Sequence, residues 1–512
     1  MSLTFTSPLF YIFALVAVLA YWLVRKHQWI VLLIFSMAFY ATWGIEKVPF
    51  ILGSAWIAWV AGSLIGQKYR VVESGNKQQK AKARKYARTV AALAVALLLL
   101  LLLYVKVGNL LVKAMAFNGE VSIIVPLGIS YYAFSLIGYV LDCYWRKEQY
   151  EKNYFKLLLF ASYFPKVLQG PIVKYRDLGA QLLTEHRYEY RNLCYGIQLM
   201  LWGYFKKLVI ADRLAIFVNT VYGDYHHKSG SMLLVATIFG AFQLYCDFSG
   251  CMDIAAGFSE VLGIKLHRNF NHPFFSESAA EFWRRWHITL GVWFKDYVYM
   301  PISVAPWMMK LMGKVRKRFG MSVAKNVSTI IALSIVWILT GLWHGTGFNY
   351  VIWGVYWGTL IVLGMLLGPS LGKLCVKLHI DTDSKEWHLF RKFRTFCLFV
   401  ISRFMTIPRD FKVTLEVWRK IFSKKFYPWE LVDGTIFNMG LNRPNFVAAI
   451  IFLVVLYCVS RYEENGGSGR DWIAQRQIVA RWAIYYGLLF TILIFGIYGH
   501  GYNASDFAYM KY

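Results

Sequence analysis

Apolar runs of bilayer-spanning length recur along this chain, and they restrict its fold more than any motif does. A transmembrane helix needs about 20 mostly apolar residues, because the hydrocarbon core holds no water to satisfy an open backbone. Such runs occur near 8–24, 29–45, 48–66, 90–105, 121–142, 194–221, 231–262, 327–343, 347–368, 394–408, 446–460 and 483–499. Two further stretches are interrupted. The one at 154–170 contains Pro165 and Gly170 and reads as a broken, re-entrant segment. The one at 288–304 contains Lys295 and Asp296 and suits the membrane interface. The expected fold is all-α: a polytopic integral membrane protein of about ten to twelve transmembrane helices with re-entrant segments.

Composition agrees. Apolar residues make up 58% of the chain and charged residues 16%, against about 25% charged in a soluble domain. The net charge of +28 sits between the apolar runs, where anionic lipid and the positive-inside rule account for it without nucleic acid. The seven cysteines form no CxxC pair, so neither a disulfide framework nor a metal site is expected. Arg25, Lys26 and His27 follow the first run rather than precede it, which favours an uncleaved helix with its N-terminus outside. Between 67 and 90 lie Lys68, Arg70, Lys77, Lys80, Lys82, Arg84, Lys85 and Arg88, the strongest cytosolic marker. Counting spans from it places 263–325 inside and both 409–445 and the C-terminal residues 500–512 outside.

Ionisable groups within apolar segments are costly and are functional candidates by default. Trp343-His344-Gly345 ends the run 327–343. Its imidazole is either a general base shielded by the indole or a hydrogen-bonded core histidine. Glu281-Phe282-Trp283-Arg284-Arg285-Trp286-His287 packs charges and aromatics into seven residues. Here the alternatives are an interfacial aromatic belt with a solvated charge network, or a reaction channel. In the second, His287 lines the channel, Trp283 and Trp286 flank it, and Arg284 or Arg285 meets donor phosphates. Asp247 lies in Cys246-Asp247-Phe248-Ser249-Gly250 and is either a structural ion-pair member or a substrate-binding carboxylate. The tail Phe507-Ala508-Tyr509-Met510-Lys511-Tyr512 reads as an aromatic interface anchor.

Taken in order, these blocks resemble the membrane-bound O-acyltransferase family. They are most similar to its bacterial cell-surface polysaccharide O-acetyltransferase branch, which includes the alginate O-acetylation membrane protein. The resemblance rests on five segments. They are Val125-Pro126-Leu127-Gly128-Ile129-Ser130; Ser162-Tyr163-Phe164-Pro165 with Gln169-Gly170-Pro171; Asp247-Phe248-Ser249-Gly250 followed by Asn269-Phe270-Asn271; Phe282 through Trp293-Phe294-Lys295-Asp296-Tyr297 to Pro301; and Gly341-Leu342-Trp343-His344-Gly345. It implies an MBOAT-like core around a tunnel, with a catalytic core at 120–370. Preceding it are N-terminal helices with the basic loop (1–119); following it are C-terminal helices with an extracytoplasmic tail (371–512).

The resemblance further implies His344 as catalytic histidine and His287 as the second functional one. Asp247, Trp283, Arg284, Arg285, Trp286 and Trp343 then become substrate-binding candidates. Tyr509 matches a phenylalanine-x-tyrosine core proposed to carry the acyl group, although this chain ends in Tyr512 and has Lys511 before it. The implied location is the bacterial inner membrane. The implied donor is cytosolic acetyl-CoA or another acyl thioester, with no resident cofactor or metal. The implied partners are an extracytoplasmic SGNH-type acetyltransferase, a polysaccharide acceptor and membrane lipid. In this scheme His344 deprotonates a hydroxyl, and His287 polarises the carbonyl or positions the donor. D-alanyl transfer to teichoic acid is the nearest alternative. A transporter or flippase for polysaccharide precursors is the alternative of a different class.

Overall fold

The computed structural model describes residues 3–114, 124–345, 347–408 and 410–498. Among them the regular structure is helical, apart from one isolated antiparallel bridge between Phe270 and Trp286. Among the described residues, seven helices are long and apolar enough to cross a membrane, and Pro8–Leu23 and Gln28–Ala41 are apolar but shorter. Several other apolar runs are divided into shorter pieces or change their winding.

The run at 154–170 is one of these. Asn153 caps Tyr154–Ser162 by accepting from the Phe155 amide. The helix then breaks at Tyr163, whose ψ of 109° is not helical, and Phe164–Val167 restarts with Pro165 in its first turn. Proline tolerates that position because its missing N–H would have no helical partner there. The run at 194–221 is continuous but not uniform: Tyr190–Tyr204 passes into a π-helical stretch, Phe205–Ala211, before Asp212–Gly223. The interfacial stretch at 288–304 does the same, as Ile288–Phe294, π-helical Lys295–Tyr299 and Met300–Ser303. Pro306–His344 is interrupted at Gly320, whose φ of 85° lies in the region that favours glycine.

The chain packs as two units. The described part of the first comes from Met1–Met200 and Cys251–His267. Within it Tyr40 donates to the Leu127 carbonyl at 3.1 Å. Gly128, at φ 63°, turns the chain into Ile129–Tyr144 so close to Val167 that a Cβ would meet its carbonyl oxygen at 1.8 Å. Tyr190–Tyr204 and Gly230–Val261 cross at Gly196 and Gly257, where either Cβ would stand 2.5 Å from the other's carbonyl oxygen. Small residues permit such backbone approach between helices in lipid.

The described part of the second unit comes from residues 201–250 and 268–498. It contains every described residue singled out above as a site candidate. Its centre is aromatic: Trp286 and Trp357 are fully buried, Phe282 stacks on Trp357 at 5.6 Å, and Phe399 packs on Trp286 at 5.0 Å.

Candidate active site

Two helices place His344. Pro306–His344 and Phe348–Lys377 pack as a hairpin on glycine. A Cβ on Gly341 would lie 2.4 Å from the Tyr350 carbonyl oxygen, and one on Gly354 would lie 2.4 Å from that of Trp337. Without side chains at those two positions the backbones close up, and His344 is buried at the helix end. Its ring meets Trp343 at 4.8 Å and Trp353 at 4.9 Å, both edge to face.

His287 is set by a different device. It precedes Ile288–Phe294 with φ 48° and ψ 50°, a left-handed conformation unusual for a residue with a Cβ. Hydrogen bonds on both sides hold it there: the Ile288 amide donates to the Asn269 carbonyl at 2.9 Å, and the Asn271 amide donates to the Arg285 carbonyl at 2.9 Å. Strained backbone kept by surrounding bonds is a feature of functional sites.

The Asn269 side chain decides the protonation of the imidazole. Its Oδ1 accepts from the Thr289 amide at 3.0 Å and from Thr289 Oγ1 at 3.0 Å. A backbone N–H can only donate, so that atom is the oxygen. His287 Nδ1, 3.2 Å from the same oxygen, is therefore the protonated nitrogen in the neutral ring, and Nε2 carries the lone pair. The His287 ring lies 4.9 Å from Phe248 and 5.9 Å from Trp343. Both imidazoles thus contact the same indole.

The remaining candidates are distributed around this pair. Trp343 joins the two histidines. Trp283 packs edge-on against Trp337 at 5.0 Å, Trp353 at 5.4 Å and Trp357 at 5.2 Å, so it backs the residue that touches His344. Trp286 lies deeper, in the aromatic core beside Phe270. Arg285 makes a two-pronged ion pair with Glu464 at 2.8 and 2.7 Å and another with Glu281 at 2.8 Å. Arg284 is exposed. Asp247 is buried, with its Oδ1 2.6 Å from Lys207 Nζ. Tyr509 lies outside the described residues.

Three residues of the site were not singled out from the sequence. Asn269, which fixes the His287 tautomer, stood only as part of a matching block. Lys206 and Lys207 carried a readable signal: adjacent lysines inside an apolar run are expensive unless paired. Both are buried on the π-helical turn, with Lys206 Nζ donating to Ser249 Oγ at 3.0 Å.

A helical membrane protein with two sheltered imidazoles on one aromatic wall has the equipment for proton transfer during acyl transfer. Residues 146–406 match the model of the membrane-bound O-acyltransferase family, and the chain belongs to that family. It is a multi-pass membrane O-acyltransferase. It is 29% identical to the probable alginate O-acetylase of Pseudomonas syringae pv. tomato, over 87% of this chain and 80% of that one. It is 28% identical to the peptidoglycan O-acetyltransferase of Helicobacter pylori, over 70% of this chain and 69% of that one. Its match to the teichoic acid D-alanyltransferase of Bacillus subtilis is 32% identical but shorter, covering 46% of this chain and 58% of that protein.

Proposed function

We propose that this protein takes an acetyl group from cytosolic acetyl-CoA and delivers it across the bacterial inner membrane for O-acetylation of a cell-surface or secreted polysaccharide. The observation that carries the reading is the pair of buried imidazoles on Trp343. Similarity over most of the chain to acetyl-transferring relatives supports acetyl over D-alanyl. The D-alanyl relatives align with less of this chain.

In this scheme His344 takes the proton from an attacking hydroxyl as its oxygen bonds to the thioester carbonyl carbon. The carbon–sulfur bond then breaks, and coenzyme A leaves with the proton returned to sulfur. His287 has its Nδ1–H committed to Asn269, so a neutral ring offers an acceptor at Nε2 and no donor for a carbonyl oxygen. This favours positioning the donor over polarising it: Nε2 accepts from an amide N–H of the pantetheine arm. Arg284, exposed and adjacent in sequence to this site, is the side chain for the donor phosphates. The attacking hydroxyl is the Tyr509 phenol, which passes the acetyl group to an SGNH-type partner, or the acceptor itself.

Proteoliposomes supplied with labelled acetyl-CoA or with labelled D-alanyl carrier protein test the donor. Label from acetyl-CoA in the polymer, lost in His344→Ala, is the expected result. Undiminished transfer by His344→Ala would overturn the mechanism, and label from the carrier alone would replace acetyl with D-alanyl. Intact-mass analysis after acetyl-CoA exposure tests the tail: an acetyl on Tyr509, absent in His344→Ala, is expected.

A further inference from the structure

The short turn after the break at Tyr163 carries polar groups that the acyl-transfer scheme does not use. Lys166 and Gln169 are both almost completely buried, at 3% and 1% relative exposure. The Gly170 amide donates to the Lys166 carbonyl at 2.8 Å, so one backbone turn, closing just after the helix Phe164–Val167, carries both residues three positions apart.

Neither is satisfied by the described residues around it. Among the described residues, Lys166 Nζ and both polar atoms of the Gln169 carboxamide have no hydrogen-bond partner. The ammonium lies over the ring of Phe160, 4.1 Å from its centroid. A ring face returns only part of what hydration gives a cation. An ammonium has three donors and a carboxamide has two donors and an acceptor, and native interiors rarely leave such a set unspent. A buried water could satisfy the carboxamide, but it cannot supply the missing negative charge. Tight backbone packing keeps the turn in place, since Gly128 abuts Val167 and Gly170 abuts Lys166 with no room for a Cβ at either glycine.

We propose that Lys166 and Gln169 form an internal anion site, distinct from the two histidines, that takes a phosphate oxyanion. Lysine acts there as a point charge, and the carboxamide N–H groups complete the donor set. Two molecules around this protein carry that chemistry: an anionic phospholipid, through its headgroup phosphate, and coenzyme A, through its own phosphates.

Native mass spectrometry of the delipidated full-length protein in a neutral detergent tests the site, with phosphatidylglycerol in one arm and coenzyme A in the other. Each arm compares wild type with Lys166→Met, Lys166→Arg and Gln169→Leu, and thermal unfolding of each variant confirms that it is folded. One retained adduct is expected in one arm. Lys166→Met, which keeps the stem and removes the charge, weakens it about tenfold, the scale of one charge-assisted contact. Lys166→Arg retains the adduct, and Gln169→Leu gives a smaller loss. The arm that shows the adduct names the source. Equal adducts in wild type and Lys166→Met, or no adduct with wild type in either arm, would overturn the proposal. These readouts do not depend on catalysis, so failure of acetyl transfer leaves them interpretable.

Discussion

Lys207 Nζ lies 2.6 Å from Asp247 Oδ1 and 2.8 Å from Asp212 Oδ1, with the ammonium and the Asp247 carboxylate almost wholly out of solvent. The lysine ties Gly230–Val261 to the π-helical turn, and the residue after Asp247 is Phe248, which faces His287. Removing the ammonium takes its cation from a buried carboxylate, at a cost of about 3–5 kcal/mol. Lys207→Met is therefore expected to lower the melting temperature of the detergent-solubilised protein sharply. Adding Asp247→Asn to it recovers part of the loss, because the charge that lost its cation is then gone. Equal melting temperatures for the single and double variants would count against the ion pair.

Asn269→Ala removes the acceptor that fixes the His287 tautomer. Without it the neutral ring can move its proton to Nε2, and the left-handed turn loses two side-chain hydrogen bonds. Turnover is expected to fall about tenfold or more, the equivalent of one or two such bonds. The comparison to make is with Asn269→Asp, which keeps the oxygen that accepts both bonds from Thr289 and should retain the fold. Steady-state rates with acetyl-CoA as donor, alongside thermal unfolding, separate loss of function from loss of structure.

Gly341→Ala and Gly354→Ala each insert a Cβ 2.4 Å from a backbone oxygen of the opposing helix. Backbone cannot swing aside as a side chain can, so the hairpin must open. Overpacking of this kind costs roughly 1–3 kcal/mol. Because His344 ends one arm of that hairpin, activity is expected to fall further than stability alone explains. Gly364→Ala, on the same helix as Gly354 but with open space around it, should leave both unchanged.

Lys420 is buried at the end of Phe411–Ile421, and its ammonium donates to the carbonyl oxygens of Tyr225 at 2.6 Å, His226 at 2.5 Å and Lys228 at 3.3 Å. Three carbonyls collected by one cation fasten the loop after Asp212–Gly223 to this amphipathic helix. Lys420→Met leaves those oxygens without their donor. Faster limited proteolysis between Asp224 and Gly230 is the expected outcome, and an unchanged cleavage pattern would show that other contacts hold the loop.

Much of the architecture was legible before any coordinates, for a physical reason: lipid forces the backbone to satisfy itself, so apolar runs report helices directly. The break near Pro165 was readable because proline cannot continue a helix from within. At 194–221 and in the interfacial stretch 288–304 the helix persists but changes its winding. No residue type marks a π-turn, so hydropathy gave no warning. In the site, the candidate histidines were legible as costly groups in apolar sequence. The Asn269 clamp was not, because its effect depends on a bond between segments 18 residues apart. Arg285 looked available for phosphate on local spacing, but its two-pronged partner is Glu464, 179 positions away.

The winding at Phe205–Ala211 also sets a limit on how this chain can change length. A π-turn holds one residue more than the helix around it needs, so deleting a single residue there would leave a well-formed α-helix. Because the turn absorbs that extra residue locally, the flanking helices would keep their phase and the change would fall on the turn itself, where Lys206 and Lys207 sit. Shifted by one position, the lysines would no longer meet Ser249 and Asp247 as they do now, and a carboxylate inside the protein would lose that cation. The wider winding thus aims the two lysines, although the other five side chains of the segment are apolar.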